Sequence, residues 1–547
     1  MKDFKWKTPF AETTFRNKYA QGPNDTWPNL VKRLIDDVCG TRGGTLAPLM
    51  SEADRKELEQ VIIKMQFIPA GRYLYYAGRP LHLYNNCFAL RAEEDTREEW
   101  GDLLKRSSDC LMSGGGIGVD YSILRSRGSS LARTGGIASG PVPLMQSVNE
   151  MGRNVMQGGS RRSAIYASLN WQHDDIREFM EVKNWSDTIK QLKADDFNFP
   201  APLDMTNMSI NWDTEFIEKL KRGDIPQLWY DSVRQMCETG EPGHSYNFYE
   251  NENDTLRNAC CEFTSEDDSD VCNLGSVNLG NIESLSELEK VVTLSSKFLV
   301  CGTMRGDVPY EKARQTRDTN RKIGLGLMGV HEWLLQRGYK YTMTSELKQW
   351  LECYRQKSEQ AANEHCDRFF VSRPKKYRAV APAGTIGILA STTTGIEPLF
   401  AVAYKRRYLE NGTKWKYQYV LDATAERIIQ TTGCDPDAIE TSISLAADPE
   451  RRIKFQFEIQ KYVDMAISST LNLPAWGTDL NNEDTAKDMA KILAKYCRGL
   501  RGITVYPDGA RGGQPLTPAS YQEAKESKGM IFDETAEMAC GDHVCGV

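Results

Sequence analysis

The chain has 547 residues, 40% hydrophobic and 26% charged, so it can bury one large core or several, and its composition excludes both a disordered and a membrane-spanning class. A formal charge of −7, from 75 acidic against 68 basic residues and no long like-charge block, leaves no general footprint for nucleic acid. The start, "MKDFKWKTPFAETTFRNKYA", has no apolar core of signal-peptide length, and no run approaches the roughly 18 apolar residues of a spanning helix, so a cytoplasmic location is expected.

Up to about residue 75 the pattern is helical. In "SEADRKELEQVIIKMQF" Leu58, Val61, Ile62 and Met65 recur at helical spacing behind a Ser51 cap, which predicts an N-terminal helical region over 1–75. From 76 to 511, short strand-like runs ("IGVDYSIL", "RAVAPA", "RGITVY") alternate with amphipathic segments such as 345–370. That alternation predicts an α/β domain with a largely parallel sheet or barrel. Residues 512–547 are polar and rich in turn formers, and are expected to be a flexible tail.

Fourteen cysteines in so long a chain are not a secreted framework, and most should be buried thiols. Six histidines form no HExxH pair and no zinc spacing, so no protein-ligated metal is expected. Cys87 lies in the strand-like "YNNCFAL", and alone, like Cys272, it reads as a buried core cysteine. The glycine cluster "SGGGIGVDYSILRSRGS" does not keep the order of a dinucleotide fold. Arg125, Arg127, Arg133, Arg161 and Arg162 flank glycine-rich turns and suit either solvent or nucleotide phosphates.

In "NACCEFTSEDDSDVCNLGSVNLG", Asn258, Cys260 and Glu262 are spaced two apart, so an extended loop would project all three on one side. Cys272 follows at the head of the next run. Two thiols whose Cα atoms come within about 7 Å can deliver two electrons by closing to a disulfide, and need re-reduction afterwards. A tail ending in Cys540 and Cys545 would serve that exchange, since about 30 flexible residues reach about 30 Å. "APAGTIGILASTTTGIEP", from Ala381 to Pro398, reads as a structural turn or as an anion cradle, without the ending of a Walker loop.

In this order, "SGGGIGVDYS", "TGGIASGP", "MGRNVMQGGSRRSA", "CNLGSVNL", "APAGTIGILASTTTGIEP" and "GITVYPDGAR" resemble the catalytic subunit of ribonucleotide reductase, most closely its adenosylcobalamin-dependent class II branch. The resemblance runs from about Phe10 to Arg511. It implies a ten-stranded α/β barrel of two half-barrels around a finger loop. It also implies Cys260 as the thiyl-radical residue, Glu262 as base for the 3′-hydroxyl and Asn258 as a ribose partner. Cys87 and Cys272 would be the reducing pair, and Cys540 and Cys545 the exchange pair renewed by thioredoxin or glutaredoxin. Ala383, Gly384, Thr385 and Ile386 match the substrate-phosphate turn. Arg125, Arg133 and Arg161 fall in the region of the specificity effector, a deoxynucleotide or ATP. Cys261 matches no role.

An ATP-binding cone would need more residues before "FRNKYA", so none is expected, and the tail is reduced to one C-x-x-x-x-C pair. Where class I members carry a tyrosine dyad, this chain has Val505 and then Tyr506. The missing dyad favours adenosylcobalamin as radical source; the alternative is a separate ferritin-like metal subunit. Ribonucleoside diphosphates are the expected substrate and a homodimer the expected assembly. A noncatalytic redox sensor on the same scaffold would be expected to lack one of Cys87, Glu262, Cys260 or Cys272, and all four are present.

Overall fold

A computed structural model describes residues 4–132, 135–155, 163–196, 199–410, 414–510 and 516–533. Among these, no helix is long and apolar enough to cross a membrane.

The strands are β1 (Phe67–Pro69), β2 (Cys87–Arg91), β3 (Gly116–Asp120), β4 (Ile165–Asn170), β5 (Thr206–Trp212), β6 (Gly243–Tyr246), β7 (Leu256–Arg257), β8 (Thr264–Ser265), β9 (Asp270–Asn278), β10 (Ile323–Met328), β11 (Ala403–Glu410), β12 (Lys414–Leu421), β13 (Thr470–Leu473), β14 (Gly502–Pro507), β15 (Leu516–Pro518) and β16 (Ile531–Asp533). Ten of them form one sheet. β2 to β6 run parallel as one half. β9 and β10 are parallel, as are β13 and β14, and they make the second half. Isolated bridges carry the ladder from Leu325 to Arg378 and from Val380 to Ile467, just before β13, which closes the ring. The two halves meet antiparallel at two seams, β2 against β9 and β6 against β14.

Helices cover the outer face, as parallel sheets require. The amphipathic stretch at 345–370 is the helix Ser345–Arg368, capped by the Thr344 hydroxyl on the Leu347 amide at 3.0 Å. Ser51 caps Glu52–Ile63 in the same way, at 3.1 Å. The N-terminal helices are not a separate body. Leu30, Leu34, Leu58 and Ile62 share one core with Leu325, Leu327 and Phe298 of the second half, and β1, inside the expected helical region, pairs with β9. A second core fills the space outside the first half.

The tail reading needs correction over 516–533. There β15 and β16 flank β11 and β12 in a four-stranded antiparallel sheet outside the barrel. Polar composition misled because these strands are three residues long and are held by backbone pairing more than by apolar content. Cys540 and Cys545 lie outside the described residues, as do Arg133 and Arg161.

Candidate active site at the seam of the half-barrels

Between β6 and β9 the chain enters the ring as a hairpin, β7 and β8, whose tip is Asn258–Phe263. The tip is a tight turn, not the extended run that the alternating spacing suggests: Cys261 takes φ +67° and its amide bonds the Asn258 carbonyl at 3.0 Å. Two-residue periodicity therefore does not govern it. Asn258 and Glu262 turn inward together, and Cys260 stands exposed at the tip.

The inward pair meets the seam. Cys87 and Cys272 are direct cross-strand partners of β2 and β9, both buried and both free thiols. Asn258 Nδ2 donates to Glu262 Oε1 at 2.9 Å and to Cys87 Sγ at 3.0 Å, and the Cys87 thiol points to the same carboxylate oxygen at 3.4 Å. The Phe263 amide bonds Asn258 Oδ1 at 3.0 Å and fixes the amide's orientation. Ala89, Leu256, Phe263, Leu274, Ala379 and Met465 box the two thiols in apolar surface. Burial pushes the Glu262 carboxyl up, only partly offset by the hydrogen bonds from Asn258 and Cys87. Its second oxygen, Oε2, is buried with no hydrogen-bond partner among the described residues. Burial raises both thiols, followed by the charge of Glu262 at Cys87 and by the charges of Asp270 and then Glu262 at Cys272. This is a dry pocket holding two reducing equivalents, a carboxyl group able to take or give a proton, and an exposed third thiol on the same loop.

Room for the hairpin comes from the glycine cluster. A Cβ on Gly118 would lie 1.8 Å from the Arg257 carbonyl oxygen, and one on Gly116 would lie 3.1 Å from Ala259 Cβ. Those glycines of β3 let the finger pass flush against the wall. Gly324 does the same for a thiol, since its Cβ would press Leu274 at 2.3 Å and Cys272 Sγ at 3.1 Å. The opposite wall holds the tip through the Ala466 amide, 2.9 Å from the Glu262 carbonyl.

Below the tip, buried charges anchor both strands. Asp254 takes contacts from Arg501 and Lys376 and accepts from the Thr264 hydroxyl at 2.7 Å, and Arg257 reaches the Asp254 carbonyl and, at 2.6 Å, Asn247. Lys322 binds Asp270 and Ser265, each at 2.8 Å. Burial works against the Asp254 carboxylate, but Arg501, Lys376 and Arg257 outweigh it and hold the group well below the usual range. Burial, countered by Asp254, brings Lys376 down to about 8. Sequence reading missed this network: its members are scattered from 247 to 501 and look like ordinary solvated charges.

A model described as "Ribonucleotide reductase, barrel domain" matches residues 85–203, 203–353 and 372–506. The chain belongs to the ribonucleotide reductase family. Among similar reductases, the vitamin B12-dependent ribonucleoside-diphosphate reductase of Mycobacterium tuberculosis is 26% identical, over 93% of this chain and 80% of that one. A Thermoplasma acidophilum reductase of the same name is 25% identical over 88% and 68%. A Mycobacterium phage D29 protein, provisionally named an adenosylcobalamin-dependent ribonucleoside-triphosphate reductase, is 22% identical over 97% and 98%. In fold, the alpha subunit of the Actinobacillus ureae class Id ribonucleotide reductase superposes with a TM-score of 0.73 at 17% identity, over 93% of this chain and 98% of that one.

Of the other expected residues, those described lie as follows. Ala383 is left-handed (φ +53°) and opens the short helix Gly384–Ala390. Gly384 faces open space, Thr385 is half-buried, and Ile386 points into the core, so that Ile386 offers only its backbone. Two residues earlier, Ala381 packs on the thiol box. Arg125 is engaged by Asp95, with its amide 3.0 Å from the carboxylate and one guanidinium nitrogen 3.1 Å from the Asp95 carbonyl. Cys261 turns into a cavity with Arg257, Arg501, Ser245, Ser468 and Ser469, where burial pushes its thiol up to about 12. Cys260 borders the same cavity, and Arg501 Nε there is buried without a partner.

Proposed function

We propose that the protein reduces ribonucleoside diphosphates to 2′-deoxyribonucleotides by a thiyl-radical mechanism, with adenosylcobalamin as radical source. The observation that carries this reading is the cross-strand Cys87/Cys272 pair with Asn258 and Glu262 converging on it.

Cys260, once its S–H hydrogen is removed, takes the 3′ hydrogen of the ribose. Glu262 accepts the 3′-hydroxyl proton. The 2′-hydroxyl leaves as water, protonated by one thiol of the pair. Cys87 and Cys272 supply two electrons and two protons in all and close to a disulfide, and Cys260 returns the hydrogen to C3′. Asn258 keeps Glu262 turned toward the substrate, and the amides of Ala383, Gly384, Thr385 and Ile386 bind its phosphates.

Adenosylcobalamin would supply the radical that removes the Cys260 hydrogen. Beside Cys260, Arg501, Ser245 and Ser469 would be the residues that face it, and Arg501 Nε there has no acceptor among the described residues. Names of the relatives support the cobalamin reading; the ferritin-like subunit is the alternative. Two of those names specify diphosphates, which supports the diphosphate reading. Cys540 and Cys545 re-reduce the Cys87/Cys272 disulfide and are renewed by thioredoxin or glutaredoxin. Arg125, Arg133 and Arg161 belong to the effector region of a homodimer. For Arg125 to contact an effector, Asp95 must release it.

The test is dCDP formation from CDP by the purified chain with a dithiol and mixed effectors, with and without adenosylcobalamin. Activity only with the cobalamin is the expected result; activity only with a di-metal partner subunit would overturn the cofactor assignment. Because Glu262 must be ionised to act as base and burial has raised its pKa, the rate should climb with pH through a value above the ordinary 4.5. A rate that changes with pH nowhere above 4.5 would remove Glu262 from that role.

A further inference from the structure

Behind the finger tip, two buried guanidinium groups share too little negative charge. Arg257 lies on β7 and is 1% exposed; Arg501 stands just before β14 and is 7% exposed. Arg257 donates only to neutral acceptors: the carbonyl of Asp254, those of Leu256 at 3.1 Å and Arg501 at 3.4 Å, and Asn247 Oδ1 at 2.6 Å. Among the described residues it pairs with no carboxylate. Arg501 donates to Asn251 Oδ1 at 2.7 Å and contacts the Asp254 carboxylate, while its Nε is buried with no hydrogen-bond partner among the described residues.

Asp254 faces Lys376 as well as Arg501. Even with Lys376 counted as neutral, two guanidinium charges meet one carboxylate, and one positive charge is left over. A buried charge is costly unless a counter-charge accompanies it. Burial, and then the charge of Arg501, press the Arg257 guanidinium below its ordinary value, against the pull of Asp254.

The neighbouring side chains do not supply the missing charge. Burial pushes the Cys261 thiol up to about 12, so it stays protonated. His244, brought down to about 3 by burial, is neutral, and its ring nitrogens meet Ser232 at 3.0 Å and Tyr246 at 3.3 Å. The Asp120 carboxylate takes the hydroxyls of Ser122 and Thr255 and borders a different cavity, with Arg91.

Both arginines, Cys261, Ser245 and Ser468 line a cavity of about 20 Å³. A single water needs roughly 10–15 Å³ by the same measure, so there is room for one water or one halide-sized ion and for nothing as large as a nucleoside.

We propose that this cavity is a binding site for one small monovalent anion of the chloride class, which accepts the Arg501 Nε hydrogen and balances the charge of Arg257. A water would satisfy the hydrogen bond and leave the charge. Seated there, the ion joins the finger strand β7 to the wall formed by β6 and β14, and it does so from behind the tip. The exposed Cys260 is left to the radical source, so the inference holds whichever source that is.

The full-length chain is unfolded by heat while chloride replaces gluconate at constant ionic strength. Chloride up to about 150 mM should raise the unfolding midpoint by about 2–4 °C and then have no further effect, as one site fills. Cys261→Asp places a carboxylate in the cavity, at a left-handed position that Asp tolerates better than most residues. This variant should hold the higher midpoint without chloride and lose the dependence, whereas Cys261→Ser should keep it. In crystals grown with bromide, anomalous scattering should place one bromide between Arg501 Nε and Cys261, a readout that needs no variant to fold. A midpoint indifferent to chloride would overturn the proposal, as would a cavity without bromide. So would a Cys261→Asp chain that depends on chloride as much as the wild type does. None of these readouts uses turnover, so they stand or fall apart from the reductase reading.

Discussion

Two hairpins of this molecule differ in almost everything but topology. The inner one, β7 and β8, has strands of two residues; the outer one, β11 and β12, has strands of eight. An isolated hairpin is marginal in water, and one with a two-rung ladder more so. The inner hairpin is nevertheless the one that holds Asn258 to the 2.9 Å geometry at Glu262. Its order comes from Asp254 and Lys322 beneath and from close walls on both sides. The outer hairpin, with four times the ladder, still has both edges covered by a separate segment. Precision at this site comes from buried anchoring and not from strand length.

Gly118→Val breaks the inner hairpin outright. With the Arg257 carbonyl 1.8 Å from the new Cβ, the finger cannot seat, and CDP reduction should fall at least about a thousandfold while the barrel stays folded by circular dichroism. Activity within tenfold of wild type would mean that the wall yields.

Asp254→Asn sharpens the comparison energetically. It leaves Arg501 and Lys376 without their carboxylate, and breaking a buried pair of this kind costs about 3–5 kcal/mol in urea unfolding. Lys376 is already down to about 8, so the folded variant sheds that proton where the unfolded chain, near 10.5, keeps it. Stability therefore rises with pH over that interval, and the deficit should be smaller at pH 9 than at pH 7. A deficit independent of pH would exclude Lys376 from the network.

Lys528→Ala removes a charge from the outer hairpin's support. Its partner Glu426 is partly solvated, and the change should cost no more than about 0.5 kcal/mol. A loss of 2 kcal/mol or more would erase the contrast between the two hairpins.

Cys87, Asn258, Glu262 and Cys272 were singled out through the ordered motifs of the family resemblance, because each alone reads as a core thiol or as part of a surface loop. Asn258 and Glu262 meet, though by a turn at a left-handed Cys261 that no residue preference announces. The glycines of "SGGGIGVDYS" could be cleared of a dinucleotide role from their order, but their purpose depends on a hairpin about 140 residues later in the chain. The anchoring charges were illegible for the same reason, since only the closed ring brings Asp254, Lys376 and Arg501 together. The segment 516–533 was misread because three-residue strands carry too few side chains to leave a pattern.

β9 has a property that its pairing makes plain. Its first three residues belong by ladder to β2 and its last six to β10, so a single strand is shared by both halves of the ring. Cys272 is the last residue before the change of partner. The Cys87/Cys272 pair therefore sits at the joint of the two halves, where a small slip of one against the other would change the spacing of the two sulfurs.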